Sequence, residues 1–320
     1  MKLKWLYSTF KSDLELIEKE LEKAVFSDSE LLQSTSLQLL KAGGKRIRPV
    51  FVLLSAKFGD YKIDIIKNVA LALELIHMAS LVHDDVIDGA DTRRGRPTIN
   101  HTWDDRIAMY TGDYILARSL EYMTNIPNPL AHQKLARAIV EVCIGEMEQI
   151  KDKYRFDQTL RDYLRRIKRK TALLIAVSCE LGAIAGETEE HIYRRLYRFG
   201  YFIGMSFQIT DDILDFTGTE KELGKPAGED LRQGNITLPA LYAMQNPELK
   251  AEIIKVNEHT NKEEIQNIIH LINHSGAIEK SRRLSRCYLD KALEILQELP
   301  DNRVKNPLKE IANYIGKRTH

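Results

Sequence analysis

The stretch LVHDDVIDGADTRRGR, residues 81 to 96, places Asp84, Asp85 and Asp88 within five positions, with apolar residues before and between them. It closes a segment, residues 64 to 88, that reads as one long helix with Ile65, Val69, Leu73, Ile76 and Ser80 along one side. Carboxylates repel one another and lose hydration among apolar neighbours. Any fold of this chain must bring compensation to the end of that helix.

The pattern returns in QITDDILDFTG, residues 208 to 218, as Asp211, Asp212 and Asp215. Both copies end long apolar helices. On a helix, Asp84 and Asp88 lie one turn apart on one face, and so do Asp211 and Asp215. Such a pair suits a hard divalent cation such as Mg²⁺, which completes its shell with water and substrate phosphate. A helix C-terminus disfavours anions, so a purely stabilising role explains the aspartates poorly, whereas a metal reverses the local sign. Two such faces set against each other would form a clamp for about three ions.

The rest of the chain is helical in pattern. Residues 10 to 25 put Phe10, Leu14, Ile17, Leu21 and Val25 on one face. Segments near 128–150, 159–185, 189–216, 262–273 and 276–298 behave likewise. Breakers fall between them at Gly43-Gly44, Gly59-Asp60, Gly89, Pro127 with Pro129, Gly186, Gly218, Pro247 and Pro300. No Asn-Gly or Asp-Gly hairpin signal stands between alternating runs. No Pro- or Ser-rich linker divides the chain. The expectation is a single all-α domain over residues 1–320, of ten or more helices.

Composition narrows the partners. A net charge of +1 argues against nucleic acid. Cys143, Cys179 and Cys287 are scattered and read as small buried hydrophobes of a reducing compartment. The N-terminus lacks a secretory apolar region, and the apolar run from Ala172 is too short to span a bilayer. A cytoplasmic protein with at most transient membrane contact is expected. Basic residues cluster where a polyanion would need them: Lys45 and Arg48 after the Gly43-Gly44 turn, Arg93, Arg94 and Arg96 after the first aspartates, Lys170, and Lys225. Arg161 to Arg169 read instead as a solvated basic face.

GGKRIRP, HDDVIDGADTRRGRPT, KTA, FQITDDILD and GKPAGEDLRQGNITLP, in that order, resemble the trans-isoprenyl diphosphate synthases. The resemblance runs from about residue 40 to residue 240. It implies the isoprenoid synthase fold, mostly antiparallel helices around a central cavity. It also implies condensation of isopentenyl diphosphate with an allylic diphosphate, with farnesyl diphosphate as the expected starter. Asp84, Asp88 and Asp211 would ligate three Mg²⁺, with Asp85, Asp212 and Asp215 supporting or binding through water. Arg93, Lys170 and Lys225 would grip the allylic diphosphate. Lys45, Arg48, His77 and Arg94 would bind isopentenyl diphosphate. Thr171 and Gln208 would stabilise the allylic carbocation, and released diphosphate would take the final proton. The sequence departs from the family at Asn235, where many relatives have lysine, and Asn235 is left out of the site.

The resemblance also bears on product and partner. Ala79 and Ser80, five and four residues before Asp84, would point toward the start of the product tunnel. Both are small where short-product members carry an aromatic residue, so a long product is expected. Length and N-terminal region resemble the heteromeric, long-chain branch of the family. That implies heptaprenyl diphosphate for a menaquinone side chain and a dimer, as a heterodimer with a small non-catalytic subunit. A homodimeric geranylgeranyl, hexaprenyl or octaprenyl synthase uses the same motifs. A terpene cyclase would carry a different second metal motif and no GGKRIRP, an HD-type phosphohydrolase would need more histidine ligands, and a scaffold would have lost its aspartates. Replacing Ala79 by Phe should shorten the product; an unchanged product length on chromatography would sink the tunnel assignment.

Overall fold

The computed structural model describes residues 10–219 and 227–316. Lys225 lies outside them. The described residues fall into two compact units, one within 10–139, 177–197 and 300–307, the other within 140–176, 198–219, 227–299 and 308–316.

In the first unit, α1 (Lys11–Ala24), α2 (Glu30–Lys41), α3 (Ile47–Ala56) and α4 (Ile63–Ile87) precede a two-stranded antiparallel hairpin, β1 (Thr92–Arg93) and β2 (Arg96–Pro97). A short helical turn, Ile99–Thr102, and α5 (Asp105–Thr124) follow. α4 buries side chains all round its axis, including Val69, Leu71, Leu73, Leu75, Ala79 and Val82, which is what an apolar helix without a polar face must do. It packs on α3 and α5. By length and composition α4 would also cross a membrane, with a mean hydropathy of 1.6 over its best window, but 72% of that window is buried. This stretch stands out less in the sequence because single polar residues interrupt the apolar run without lowering its mean.

The chain continues through α6 (Pro129–Asp152), α7 (Leu160–Ile167), a π-helical segment (Lys168–Ala172), α8 (Leu173–Ala185) and α9 (Glu190–Thr217). The predicted helix over 159–185 is therefore interrupted at Lys170-Thr171. Thr159 caps α7 in a capping box with Asp162. After the short turn Glu229–Arg232 come α10 (Leu238–Ala243), α11 (Pro247–Ile253), α12 (Lys262–His274), α13 (Ala277–Glu298) and α14 (Lys305–Gly316). The core of the second unit joins Tyr163, Ile167, Ala172, Met205, Ile209, Ile213 and Phe216 to Leu238, Ile268, Ile269 and Ile272.

Two expectations need correction here. Cys179 is buried, but Cys143 and Cys287 are exposed, because they sit on the outward faces of α6 and α13. The hairpin at 92–97 carries no Asn-Gly or Asp-Gly. Its turn residues are Arg94 (φ +53°) and Gly95 (φ +74°), and two consecutive left-handed residues are what a two-residue hairpin turn needs. Arg94 supplies the first of them against its intrinsic preference.

Glycine permits the close approach of α3 and α8. A Cβ at Gly182 would stand 2.4 Å from the Val52 carbonyl oxygen and 2.8 Å from its Cα. Those are backbone atoms and cannot swing aside. Gly182→Ala should lower stability by about 1–3 kcal/mol, read as a depressed melting temperature. An unchanged melting temperature would show that the two helices part without cost.

Candidate active site

The first aspartate motif occupies the C-terminal turn of α4, and Asp88 is its C-cap residue. Asp84 and Asp88 are half-buried, whereas Asp85 is buried at 4% exposure. Arg93 answers that burial. Its Nε donates to both Asp85 oxygens, at 2.7 and 3.0 Å, and its Nη2 lies 2.6 Å from Oδ1. Burial pushes the Asp85 pKa upward, Arg93 opposes it, and Asp84 and Asp88 add to the rise. The Asp85 carbonyl accepts from the Ala90 N–H at 2.9 Å, and Thr98 Oγ1 donates to the Ala90 carbonyl at 2.7 Å. These bonds fold the hairpin back onto the helix end and fix where Arg93 and Arg94 start.

A cluster of cations stands behind this motif. Arg46, the N-cap of α3, is held in the left-handed region at φ +45°. It is buried against Glu18 of α1, at 2.5 Å, and Glu74 of α4, at 3.0 Å. Burial lowers the Arg48 pKa to about 10, with Glu74 opposing and Arg94 adding to the fall. Arg48 Nε is buried with no hydrogen-bond partner among the described residues. Burial first, and then Arg48, Arg94, Arg93 and Arg46, hold the His77 pKa well below the ordinary histidine range, so His77 is neutral at pH 7. The Arg94 guanidinium lies where a Cβ on Gly44 would stand, 2.9 Å away. Gly44 thus leaves room for it. Lys45 is exposed beside them. Arg48, His77, Arg93 and Arg94 therefore share one electropositive patch, joined by Arg46 and Glu74, which the sequence reading missed. Glu74 did leave a signal: an acid inside NVALALELIHMAS, one turn before His77, has no reason to be there without a cation.

Ala79 is buried at 2% exposure, and Ser80 Oγ donates to the His77 carbonyl at 2.9 Å. His83 packs over Gly112 of α5, with Nε2 3.3 Å from Asp113. It stands with α5 rather than in a histidine ligand set, which removes the phosphohydrolase alternative.

The second motif lies in the last turns of α9. Asp211 is half-buried, and Asp212 and Asp215 are each buried at 2% exposure. Asp212 accepts from the Tyr163 hydroxyl at 2.7 Å and from Gln208 Nε2 at 2.8 Å. Gln208 Oε1 in turn accepts from Thr171 Oγ1 at 2.5 Å. Burial, reinforced by Asp230, raises the Asp212 pKa to about 7. Asp215 accepts from the Asp230 N–H at 3.3 Å. Lys170 Nζ lies 3.4 Å from Glu146 Oε2. Asn235 is tied by its own N–H to the Asp230 carbonyl at 2.8 Å.

The π-helical segment sets this arrangement. A Cβ on Gly204 would stand 2.5 Å from the Ala172 Cα, so α9 approaches the backbone beside Thr171 only because residue 204 is glycine. One turn on, Gln208 meets Thr171. π-Helical bulges gather at functional sites because they re-aim side chains. Arg166 corrects the solvated-face reading. It is buried at 6% exposure, donating to Gln158 Oε1 at 2.5 Å and the Ile236 carbonyl at 2.6 Å. Arg169 pairs with Glu141 and Glu148. A buried arginine leaves no periodic trace, because its neighbours on α7 are also charged.

Each motif thus presents aspartates of two kinds: half-buried Asp84, Asp88 and Asp211, and buried Asp85, Asp212 and Asp215 with named donors. The donors available to a cation are all carboxylate oxygens, which suits Mg²⁺ or Ca²⁺ and not a soft metal. Among the described residues no three His, Cys, Asp or Glu side chains close a metal cage by themselves.

Residues 29–272 match the family model for polyprenyl synthetases. Over its full 320 residues the chain is 62% identical to heptaprenyl diphosphate synthase component 2 of Geobacillus stearothermophilus, covering 100% of both chains. It is similar to the crystal structure of heptaprenyl diphosphate synthase from Staphylococcus aureus, with a TM-score of 0.94, 45% identity, and 97% and 99% of the two chains covered. A polyprenyl synthase from Caulobacter crescentus CB15, solved with calcium and isoprenyl diphosphate, aligns with a TM-score of 0.93 and 31% identity over 98% and 97% of the two chains.

Because Asp85 is buried against one guanidinium, Arg93→Ala should destabilise the metal-free protein by about 2 kcal/mol near pH 7.5. Without its cation, the raised Asp85 pKa rises further, so the penalty should shrink as pH falls and the carboxyl takes up its proton. Thermal denaturation at pH 5 and pH 7.5 reads the difference. An equal loss at both pH values would show that Arg93 does not balance a buried charge.

Proposed function

Because the chain belongs to the polyprenyl synthetase family, and is a trans-prenyltransferase, we propose that it extends an allylic diphosphate with isopentenyl diphosphate to all-trans heptaprenyl diphosphate. Farnesyl diphosphate is the starter, and the product is a menaquinone side chain. The observation that carries the reading is the repeated carboxylate motif at two helix ends, each with half-buried aspartates backed by buried, hydrogen-bonded ones. Full-length identity to a heptaprenyl diphosphate synthase component supports the product.

The residues divide the work by charge. Asp84, Asp88 and Asp211 hold Mg²⁺, about three ions. Asp85, Asp212 and Asp215 support them, and their burial with fixed partners supports this division. Bound Mg²⁺ neutralises the diphosphate oxygens and so makes diphosphate a good leaving group. Arg93, Lys170 and Lys225 add cationic contacts to the allylic diphosphate. Lys45, Arg48, Arg94 and neutral His77 hold isopentenyl diphosphate. In that patch Arg48 Nε gains the partner it lacks. Thr171 and Gln208 face the developing allylic cation with oxygen dipoles that stabilise it without forming a bond. The apolar lining keeps water from the cation, and released diphosphate takes the proton. Small side chains at Ala79 and Ser80 leave room for a long tail.

The enzyme acts in the cytoplasm as a heterodimer with a small non-catalytic subunit, touching the membrane only as product leaves. The name component 2 carried by its relative supports a second chain. So does an apolar face on α6, where Val140 (58% exposed), Ile144 (40%) and Met147 (66%) stand at successive turns. Exposed apolar rows of this kind mark sites of association.

Radiolabelled isopentenyl diphosphate, Mg²⁺ and farnesyl diphosphate, with and without the candidate partner chain, test the whole reading by product sizing. A long polyprenyl product should form in full only with both chains. Asp84→Ala should cost at least about 100-fold in rate while keeping the fold. Long-chain synthesis by this chain alone would overturn the heterodimer, and hydrocarbon formed from farnesyl diphosphate alone would overturn the reaction.

A further inference from the structure

The polar chain around Asp212 is longer than cation binding requires. The Tyr163 side chain is fully buried, yet its hydroxyl donates to Asp212 Oδ2 at 2.7 Å. Gln208 Nε2 donates to the other oxygen, Oδ1, at 2.8 Å, and Thr171 Oγ1 donates to Gln208 Oε1 at 2.5 Å. A carboxylate offers only acceptors, so Oδ1 selects the NH₂ end of the Gln208 amide. The carbonyl end is then left for Thr171. With each oxygen holding a donor, Asp212 orients Gln208 as well as standing behind the metal-binding Asp211.

The tyrosine is itself well anchored. It lies in α7, whose first turn is closed by the Thr159–Asp162 capping box. The Arg166 guanidinium lies 5.8 Å from its ring and is pinned by Gln158 and the Ile236 carbonyl. With Asp212 ionised, as it is above its pKa of about 7, the donors and acceptors from Tyr163 to Thr171 have one arrangement that satisfies all of them.

We propose that Tyr163 is a positioning residue for prenyl transfer: through Asp212 it fixes which end of the Gln208 amide accompanies Thr171 at the reacting carbon. This rests on the assignment of Thr171 and Gln208 to the allylic cation. The amide orientation matters because its two ends carry opposite partial charge. The carbonyl oxygen stabilises a neighbouring cation, and the NH₂ end opposes it. Without the Tyr163 hydroxyl, Asp212 Oδ2 loses its donor, the carboxylate turns, and the amide is no longer held in one orientation.

The test uses Tyr163→Phe, which removes a single oxygen, in the full chain with its partner. kcat should fall about tenfold, the loss of roughly one oriented hydrogen bond, while KM for both diphosphates stays within about twofold. In the Gln208→Ala background the same substitution should change kcat by less than about twofold, because it acts through Gln208. Thermal stabilisation by Mg²⁺ with inorganic diphosphate should persist, since the direct ligands Asp84, Asp88 and Asp211 are untouched. Full activity of Tyr163→Phe, an additive loss with Gln208→Ala, or lost stabilisation by Mg²⁺ and diphosphate would each overturn the proposal. If Tyr163→Phe does not fold, Asp212→Asn, which sets an NH₂ group against the network's donors, should show the same split of kcat from KM when assayed at saturating Mg²⁺, because Asp212 also backs the metal ligands. Wild-type activity with isopentenyl diphosphate, measured alongside, reads the reaction itself and is untouched by the outcome at Tyr163.

Discussion

Burial of the Asp85, Asp212 and Asp215 carboxylates is the constraint to which the rest of the structure answers. A carboxylate removed from water is tolerated only where donors or cations replace its hydration. Asp85 obtains a guanidinium from a hairpin that must turn back within a few residues. Asp212 obtains a phenol from α7 and an amide from its own helix. Asp215 obtains a backbone N–H at Asp230. Each solution fixes an element: the hairpin to the end of α4, α7 to α9, and the chain near Asp230 to the end of α9. The half-buried aspartates, Asp84, Asp88 and Asp211, are thereby left at rigid helix ends with geometry already set.

Rigidity of this kind requires close helix packing. α3 meets α8 across Gly182, and α9 meets the π-helical segment across Gly204. At both places a methyl group would collide with backbone atoms, so the contact distance is set by main chain and not by adjustable side chains. The π-helical segment adds an extra residue to the turn that carries Lys170 and Thr171. A regular helix there would rotate Thr171 away from Gln208. Local departure from regular structure is thus confined to the point where two polar side chains must meet.

Much of this was legible in the sequence because it rests on periodicity. The long apolar helices, their ends and the repeated aspartates are written in residue spacing. Arg93 and Arg94 are legible because they follow the first motif directly, and Arg48 because it follows the Gly43-Gly44 turn. What escaped was tertiary. Glu74 and Arg46 neutralise each other across 28 positions, Tyr163 and Asp212 meet across 49, and no local pattern announces such a pair. Arg166 was misread because a charged run looks solvated until the fold buries one member. The Arg94-Gly95 turn was missed because arginine is a poor choice for a left-handed position.

That poor choice connects strain to chemistry. Arg46 and Arg94 both hold left-handed backbone that asparagine or glycine would adopt at lower cost. Both are arginines of the same electropositive patch, and neither position is solved by a residue that merely suits the turn. Backbone strain of this size persists where side-chain identity outweighs local preference. Arg46 accounts for it structurally, through Glu18 and Glu74. Arg94 does not: its pKa is lowered by burial and by Arg93 and Arg46, with Glu74 only partly opposing. An arginine held against its backbone preference, with Arg93 and Arg46 beside it and Glu74 and Asp85 opposing them, is set to take a further anion. In the proposed reading isopentenyl diphosphate would carry that anion and would offset the strain at Arg94. In that reading, the same residues that make the patch costly suit it to a diphosphate over a singly charged group.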